Sequence, residues 1–157
     1  MHVILFLVFF LNNLLQGEVT GKVISVADGD TITILTSEKV QVKIRLHGID
    51  CPEKSQPFGM AAKKYTSNLV FERFVKVKIT DVDRYGRSVG LVYLNNNKVL
   101  NEEILSAGYA WHYIKYDQNP AWDRLEIEAR RKKIGVWSQP NAIEPWIWRK
   151  NKSLHQN

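Results

Sequence analysis

Acidic and guanidinium side chains recur at short intervals in the first third of the chain. The segment Asp28-Gly29-Asp30-Thr31 is followed by Arg45 and then by Asp50-Cys51-Pro52-Glu53. Hard divalent cations such as Ca²⁺ take oxygen ligands from carboxylates and backbone carbonyls, and the planar fork of an arginine matches the oxygens of a phosphate. Glu53 could hold a carboxylate beside such a cation without being its ligand, and could there activate water. These residue types therefore indicate phosphodiester cleavage.

A second guanidinium is available in the segment Asp83-Arg84-Tyr85-Gly86-Arg87. An Asp-Gly-Asp segment alone indicates no more than a turn, because Gly reaches positive φ and Asp bonds its own backbone. The four pieces together, in this order along the chain, resemble the staphylococcal nuclease family. The resemblance extends over residues 19–148.

This resemblance implies a Ca²⁺ cofactor. Asp30 and Asp50 would be its carboxylate ligands, and the backbone carbonyl of Cys51 a further ligand, with Asp28 nearby. The family usually has Thr at the position of Cys51, but a carbonyl ligand does not depend on the side chain. Cys51 is also the only cysteine, which excludes an intramolecular disulfide. A nucleophilic or soft-metal role for its thiol is the alternative interpretation.

The resemblance also implies which side chains act on the substrate. Glu53 would be the general base or would orient the attacking water, while Arg45 and Arg87 would neutralise the charge that builds up on the phosphoryl oxygens. Tyr85 matches the family's tyrosine on the nucleotide side. Tyr113 and Tyr116 lie near its other aromatic positions, with a place in the core as the alternative for both.

Length and charge limit the fold and the partners. A chain of 157 residues is about one domain long. Its 22 Lys and Arg residues exceed its 16 Asp and Glu residues, for a net charge of +6, which favours polyanionic partners over acidic ligands. A merely soluble basic surface would have the same charge, but the phosphate-directed motifs favour nucleic acid, and we expect DNA and RNA as substrates. We also expect a monomer with no obligate protein partner.

Five segments rich in β-branched residues and separated by turn residues predict strands. They are residues 22–26, 31–35, 40–46, 75–79 and 88–94. Helical spacing of apolar residues predicts three helices, at residues 58–71, 100–107 and 121–133. One helix after the third strand and two at the end are typical of an OB-fold, a five-stranded barrel with about three α-helices in the α+β class. The family resemblance implies the same fold.

Two details of this pattern concern side-chain direction. In the third predicted strand, Arg45 alternates with an apolar face, so that it points away from the core and can line a groove. The apolar face consists of Val40, Val42, Ile44 and Leu46. Trp122 shares a helix face with Leu125 and Ala129, which favours a place in the core over a ligand contact.

Residues 3–11 form an unbroken apolar run, and no residue from Met1 to Gly17 is charged. The run is too short for a membrane span, which needs about 20 apolar residues, so residues 1–17 are predicted to be a signal peptide. The protein would then be secreted or periplasmic. The start lacks Lys and Arg, and no Ala-x-Ala site follows. An uncleaved membrane anchor formed by residues 3–11 and a buried first strand are therefore the alternatives.

The remaining chain divides into a nuclease domain at residues 18–137 and a C-terminal extension at residues 138–157. The extension carries Pro145, Trp146 and Trp148 and is too hydrophobic for a free tail. We expect it to pack partly on the domain, and an aromatic platform for nucleic acid is the alternative.

These observations predict a Ca²⁺-dependent, sugar-nonspecific endonuclease, and the resemblance implies that it acts on DNA and RNA and leaves 3′-phosphate ends. The alternative is a catalytically weak OB-fold module that binds nucleic acid, because some domains of this fold have lost their metal ligands and catalytic arginines. A membrane-tethered structural protein would explain none of the motifs.

Overall fold

The computed structural model describes residues 17–154. The apolar run at residues 3–11, interpreted as an export signal or an anchor, lies outside the described residues. Between residues 17 and 154, no helix combines the length and the apolar character that crossing a membrane requires.

The strands form a barrel and a small ribbon. In chain order they are β1 (Glu18–Asp28), β2 (Thr31–Leu35), β3 (Gln41–Leu46), β4 (Ile49–Asp50), β5 (Phe74–Val82), β6 (Ser88–Tyr93) and β7 (Trp111–His112). Five of them close a barrel in the order β1-β2-β3-β6-β5, while β4 and β7 pair with each other. The first three barrel strands are antiparallel neighbours, and β3 runs parallel to β6. The predicted five-stranded barrel is confirmed.

The described residues contain four α-helices, where the sequence predicted about three. They are α1 (Gly59–Val70), α2 (Leu100–Ser106), α3 (Pro120–Arg131) and α4 (Pro145–Leu154). The additional helix is α4, which lies in the segment predicted to be an extension. Pro145 occupies its first position, where no intrahelical bond needs the missing N–H, and the N–H groups of Ile147 and Trp148 both donate to the carbonyl of Glu144.

The core fills the barrel and extends beneath the helices. Its largest fully buried side chains include Ile32, Ile34, Ile44, Leu46, Leu100, Ile104 and Leu105. Trp122 is also buried, as predicted, and its Nε1 donates to Glu102 Oε1 at 2.9 Å. Val40 was predicted to belong to the apolar face of β3, and this prediction is wrong. The residue precedes β3 and is 54% exposed, so the apolar face of that strand begins later than predicted.

Candidate active site

The turn between β1 and β2 forms the floor of the site. The N–H of Asp30 donates to Asp28 Oδ1 at 3.1 Å, and the hydroxyl of Thr66 on α1 donates to the carbonyl of Gly29 at 2.6 Å. A Cβ on Gly29 would lie 2.8 Å from Cys51 Sγ and 2.9 Å from the Cβ of Ala62. Glycine therefore lets the turn approach α1 and the Asp50-Cys51 segment closely.

The short strand β4 brings Asp50 to the same place. It leaves the barrel after β3 and pairs with β7, so that Asp50 lies opposite Trp111. The N–H of Cys51 donates to Asp30 Oδ2 at 2.6 Å, which joins the two acidic segments directly. Asp30 and Asp50 are 5% and 1% exposed. The structure thus places both predicted carboxylate ligands side by side beneath the surface.

Arg45 lies between these two carboxylates. Its Nη2 is 3.0 Å from Asp50 Oδ1 and 3.3 Å from Asp30 Oδ2, and its Nη1 donates to the carbonyl of Leu46 at 2.8 Å. Burial lowers the pKa of the Arg45 guanidinium, but the charges of Asp30 and Asp50 outweigh that effect and the pKa is raised. Arg45 is therefore a permanent cation at the bottom of the site.

Asp28, Asp30 and Asp50 together carry more negative charge than the single positive charge of Arg45 balances. Burial raises the pKa of Asp28 to about 6, and the neighbouring charge of Asp30 adds to the rise. Burial also raises the pKa of Asp50, against the hydrogen bond from Arg149 and the charge of Arg45. Crowded, desolvated carboxylates are stabilised by a cation that takes oxygen ligands.

The side chains alone do not form a closed metal cage. Among residues 17–154, no three His, Cys, Asp or Glu side chains converge as a metal cluster. The predicted donors are two carboxylates and one carbonyl, which would leave the remaining positions to water and substrate oxygens. The donor chemistry fits a hard cation such as Ca²⁺ in an open site.

The Cys51 thiol is not a nucleophile of this site. It is buried in the hydrophobic core. Burial raises its pKa well above the usual range, and the charge of Asp30 raises it further. A thiol held protonated in this way is inert.

Arg87 reaches the site from the turn after β5. Its Nε donates to Asp83 Oδ2 at 2.6 Å, and the N–H groups of Arg87 and Tyr85 both donate to Asp83 Oδ1. These bonds lower the pKa of Asp83 despite the opposing effect of burial. Arg87 Nη1 lies 3.5 Å from the hydroxyl of Thr31, next to Asp30. The Thr31 hydroxyl in turn donates to Asp30 Oδ1 at 3.3 Å, so the second predicted guanidinium approaches the turn that carries Asp30.

Glu53 lies at the rim, with 38% of its side chain exposed. Its Oε1 accepts from Arg149 Nη1 at 2.8 Å, and the same guanidinium reaches both oxygens of Asp50, at 3.2 and 2.8 Å. Arg149 is not among the residues that the sequence pattern predicts for the site. The only available signal was an arginine directly after the tryptophans of a hydrophobic extension, 96 residues from Glu53.

The three tyrosines predicted to contact the substrate, Tyr85, Tyr113 and Tyr116, lie in two places. Tyr85 is 70% exposed, and the guanidinium of Arg87 lies 5.6 Å from its ring centre. Tyr116 is 60% exposed and packs edge-on against the half-buried ring of Tyr113, which in turn stacks on Trp146 at 4.7 Å. The structure therefore brings Tyr85 beside the predicted site and excludes the core alternative for Tyr116.

Comparison with known proteins shows the family of the chain. Residues 43–139 match the family model described as staphylococcal nuclease homologue. The chain belongs to the staphylococcal nuclease family. An uncharacterized endonuclease of Escherichia coli O157:H7 is 39% identical over 96% of this chain and 98% of its own length. A micrococcal nuclease of Shigella flexneri is 38% identical over 83% of this chain and 80% of its own length.

A third relative is a longer protein. A staphylococcal-like nuclease of Arabidopsis thaliana is 41% identical over 81% of this chain, which corresponds to 40% of that relative. The predicted family and the predicted class of enzyme, a hydrolytic nuclease, are confirmed.

Proposed function

We propose that this protein is a Ca²⁺-dependent, sugar-nonspecific endonuclease that hydrolyses DNA and RNA and leaves 3′-phosphate ends. The observation that carries the proposal is that Arg45 lies within 3.3 Å of both Asp30 and Asp50, while Arg149 joins the partly exposed Glu53 to Asp50. The nature of the product ends rests on the family resemblance alone.

The residues divide the chemistry between them. Asp30, Asp50 and the Cys51 carbonyl would hold Ca²⁺, which when bound would polarise a phosphoryl oxygen. Glu53, the exposed carboxylate, accepts a proton from the attacking water or orients it, a contribution of about 10²- to 10⁴-fold in rate. Arg45 supplies a fixed positive charge for the pentavalent transition state.

Arg87 supplies the second positive charge, and Asp83 holds it in position before substrate binds. A preorganised donor of this kind is worth about 10²- to 10³-fold in rate, because it needs no reorganisation as charge develops. Of the guanidinium nitrogens, only Nε of Arg87 donates to Asp83. Nη1 lies 3.5 Å from the Thr31 hydroxyl, and so is not used by the ion pair with Asp83.

Nucleic-acid binding without cleavage is the second candidate. It is disfavoured because each carboxylate and arginine predicted for the reaction is present, and Asp30, Asp50 and Arg45 are in mutual contact. Protein beginning at Glu18 should degrade plasmid, single-stranded DNA and RNA with Ca²⁺ and leave all three intact with chelator. If all substrates stay intact with every divalent ion while the protein still binds them, the protein is a binding module and not a nuclease.

The metal ligands have a separate test. Asp30→Ala should weaken the binding of Ca²⁺ in a calorimetric titration, because it removes one of two adjacent buried carboxylates. Unchanged affinity would remove Asp30 from the coordination shell, whether or not the wild-type protein cleaves nucleic acid.

The proposal extends to the setting of the enzyme. We propose that it acts as a monomer outside the cytoplasm, as a secreted or periplasmic protein. Support comes from the uncharged, apolar start of the chain, which is typical of an export signal. An anchor formed by residues 3–11 is the alternative.

A further inference from the structure

Helix α4 is fixed beside the site by contacts outside its own backbone. The side-chain amide of Gln56 donates to the carbonyl of Ile143 at 2.6 Å. Three residues later, the ring of Trp146 stacks on Tyr113 with an interplanar angle of 11° and a centroid distance of 4.7 Å. Trp148 and Gln56 line a common small cavity. The helix is therefore positioned by the segment that follows Glu53 and by the loop that follows β7.

Residues 146–149 of α4 are Trp-Ile-Trp-Arg, and the last of them, Arg149, reaches into the site. Arg149 donates through Nη2 to Asp50 Oδ2 and through Nη1 to both Asp50 Oδ1 and Glu53 Oε1. Arg45 also donates to Asp50 Oδ1. Both oxygens of Asp50 therefore carry an arginine donor, and Glu53 is joined to Asp50 through a single planar guanidinium.

These contacts of Arg149 have opposite effects on metal binding and on the chemical step. A cation that binds Asp50 must share or displace the donors of Arg149, and the positive charge of Arg149 repels it. The planar fork also holds the Glu53 carboxylate in one orientation, and a fixed orientation is what a general base needs. Arg149 thus weakens binding of the metal while it favours the chemical step.

We propose that Arg149 is a positioning residue of this nuclease, which orients Glu53 and competes with the divalent cation for Asp50. The first part rests on the proposed function of Glu53, whereas the second part rests only on the ion pair with Asp50. The C-terminal helix is in this way a component of the active site.

The test compares three variants of the protein that begins at Glu18. Arg149→Ala removes the charge and the fork, and Arg149→Lys keeps the charge without the planar fork. Lys150→Ala is the matched control, because it removes the same charge from the adjacent exposed residue. Calcium chloride alone is titrated calorimetrically into each protein, and kcat and KM are measured separately on single-stranded DNA at saturating Ca²⁺.

For Arg149→Ala we expect tighter Ca²⁺ binding, by about fivefold for a partly exposed ion pair, together with a kcat lower by about 10- to 100-fold, as for other partners that orient site ligands. KM should match that of Lys150→Ala. Arg149→Lys should restore the wild-type Ca²⁺ affinity but not kcat. A purely structural role would not separate affinity from turnover in this way.

Two results would overturn the inference. One is an Arg149→Ala protein that equals Lys150→Ala in both Ca²⁺ affinity and kcat. The other is weaker Ca²⁺ binding with a lowered melting temperature, which would make Arg149 a packing residue of α4. Failure of the proposed function is distinguishable, because a wild-type protein without nuclease activity would refute the role at Glu53, while the Ca²⁺ titration would still decide the competition at Asp50.

Discussion

The hydroxyl of Thr66 on α1 anchors the turn that carries Asp30, and its removal should measurably destabilise the protein. Thr66 is fully buried, and its Oγ1 donates to the carbonyl of the buried Gly29 at 2.6 Å. Thr66→Val keeps the shape of the side chain but replaces the donor by a methyl group. The carbonyl of Gly29 then loses its side-chain donor in a place that is closed to bulk solvent.

The expected cost follows from that burial. Leaving a buried acceptor without its donor costs about 1–3 kcal/mol. For a protein of this size, each kcal/mol lowers the melting temperature by about 2–4 °C, so Thr66→Val should lower it by about 2–12 °C. Because the same turn presents Asp30, we also expect weaker binding of Ca²⁺.

The measurement is thermal unfolding by circular dichroism in chelator, followed by a calorimetric Ca²⁺ titration. Thr80→Val is the matched control, because the exposed hydroxyl of Thr80 bonds His47 Nδ1 at 3.1 Å and the carbonyl of Val89 at 3.2 Å where water can replace it. Its effect should stay within about 0.5 kcal/mol. If Thr66→Val destabilises the protein no more than Thr80→Val does, the hydroxyl does not anchor the turn.

Further predictions concern catalysis, pH and export. Glu53→Gln and Arg87→Ala should lower kcat by about 10²- to 10⁴-fold and 10²- to 10³-fold with unchanged circular dichroism; near-normal rates would refute the assigned roles. The hydrogen bonds from Asn119 and from two histidines lower the pKa of Asp117 below 3.8 despite burial. The stability that Asp117 contributes should thus be complete above pH 3.8 and lost as pH falls through the lower folded pKa, so the urea midpoints of wild type and Asp117→Asn should converge there. Exported protein should begin near Glu18 on N-terminal sequencing, whereas an intact start in a membrane pellet would indicate the anchor.

The barrel was predictable because its signals are local. Alternation of apolar and polar residues, interrupted by turn residues, marks each strand independently of its partners. The buried and exposed residues of β3 follow that alternation from Gln41 onwards. Val40 departs from it, because whether a residue lies in the strand or in the preceding turn depends on pairing with β2, which alternation does not specify.

The two acidic segments could be predicted for a similar reason. Asp30 and Asp50 each belong to a short motif whose residue types already indicate their chemistry. The sequence does not contain the distance between them. The bond from the Cys51 N–H to Asp30 and the position of Arg45 between both carboxylates depend on closure of the barrel and on the pairing of β4 with β7.

By itself the sequence determined the family, the five-stranded barrel and the residue types that the proposed chemistry needs, because these are properties of local pattern and composition. Only the tertiary structure decided that Arg149 joins Glu53 and Asp50 and that Trp146 stacks on Tyr113. Such contacts form when separately predicted segments pack against each other. Their partners are selected by the shape and the charge of a surface that exists only after folding.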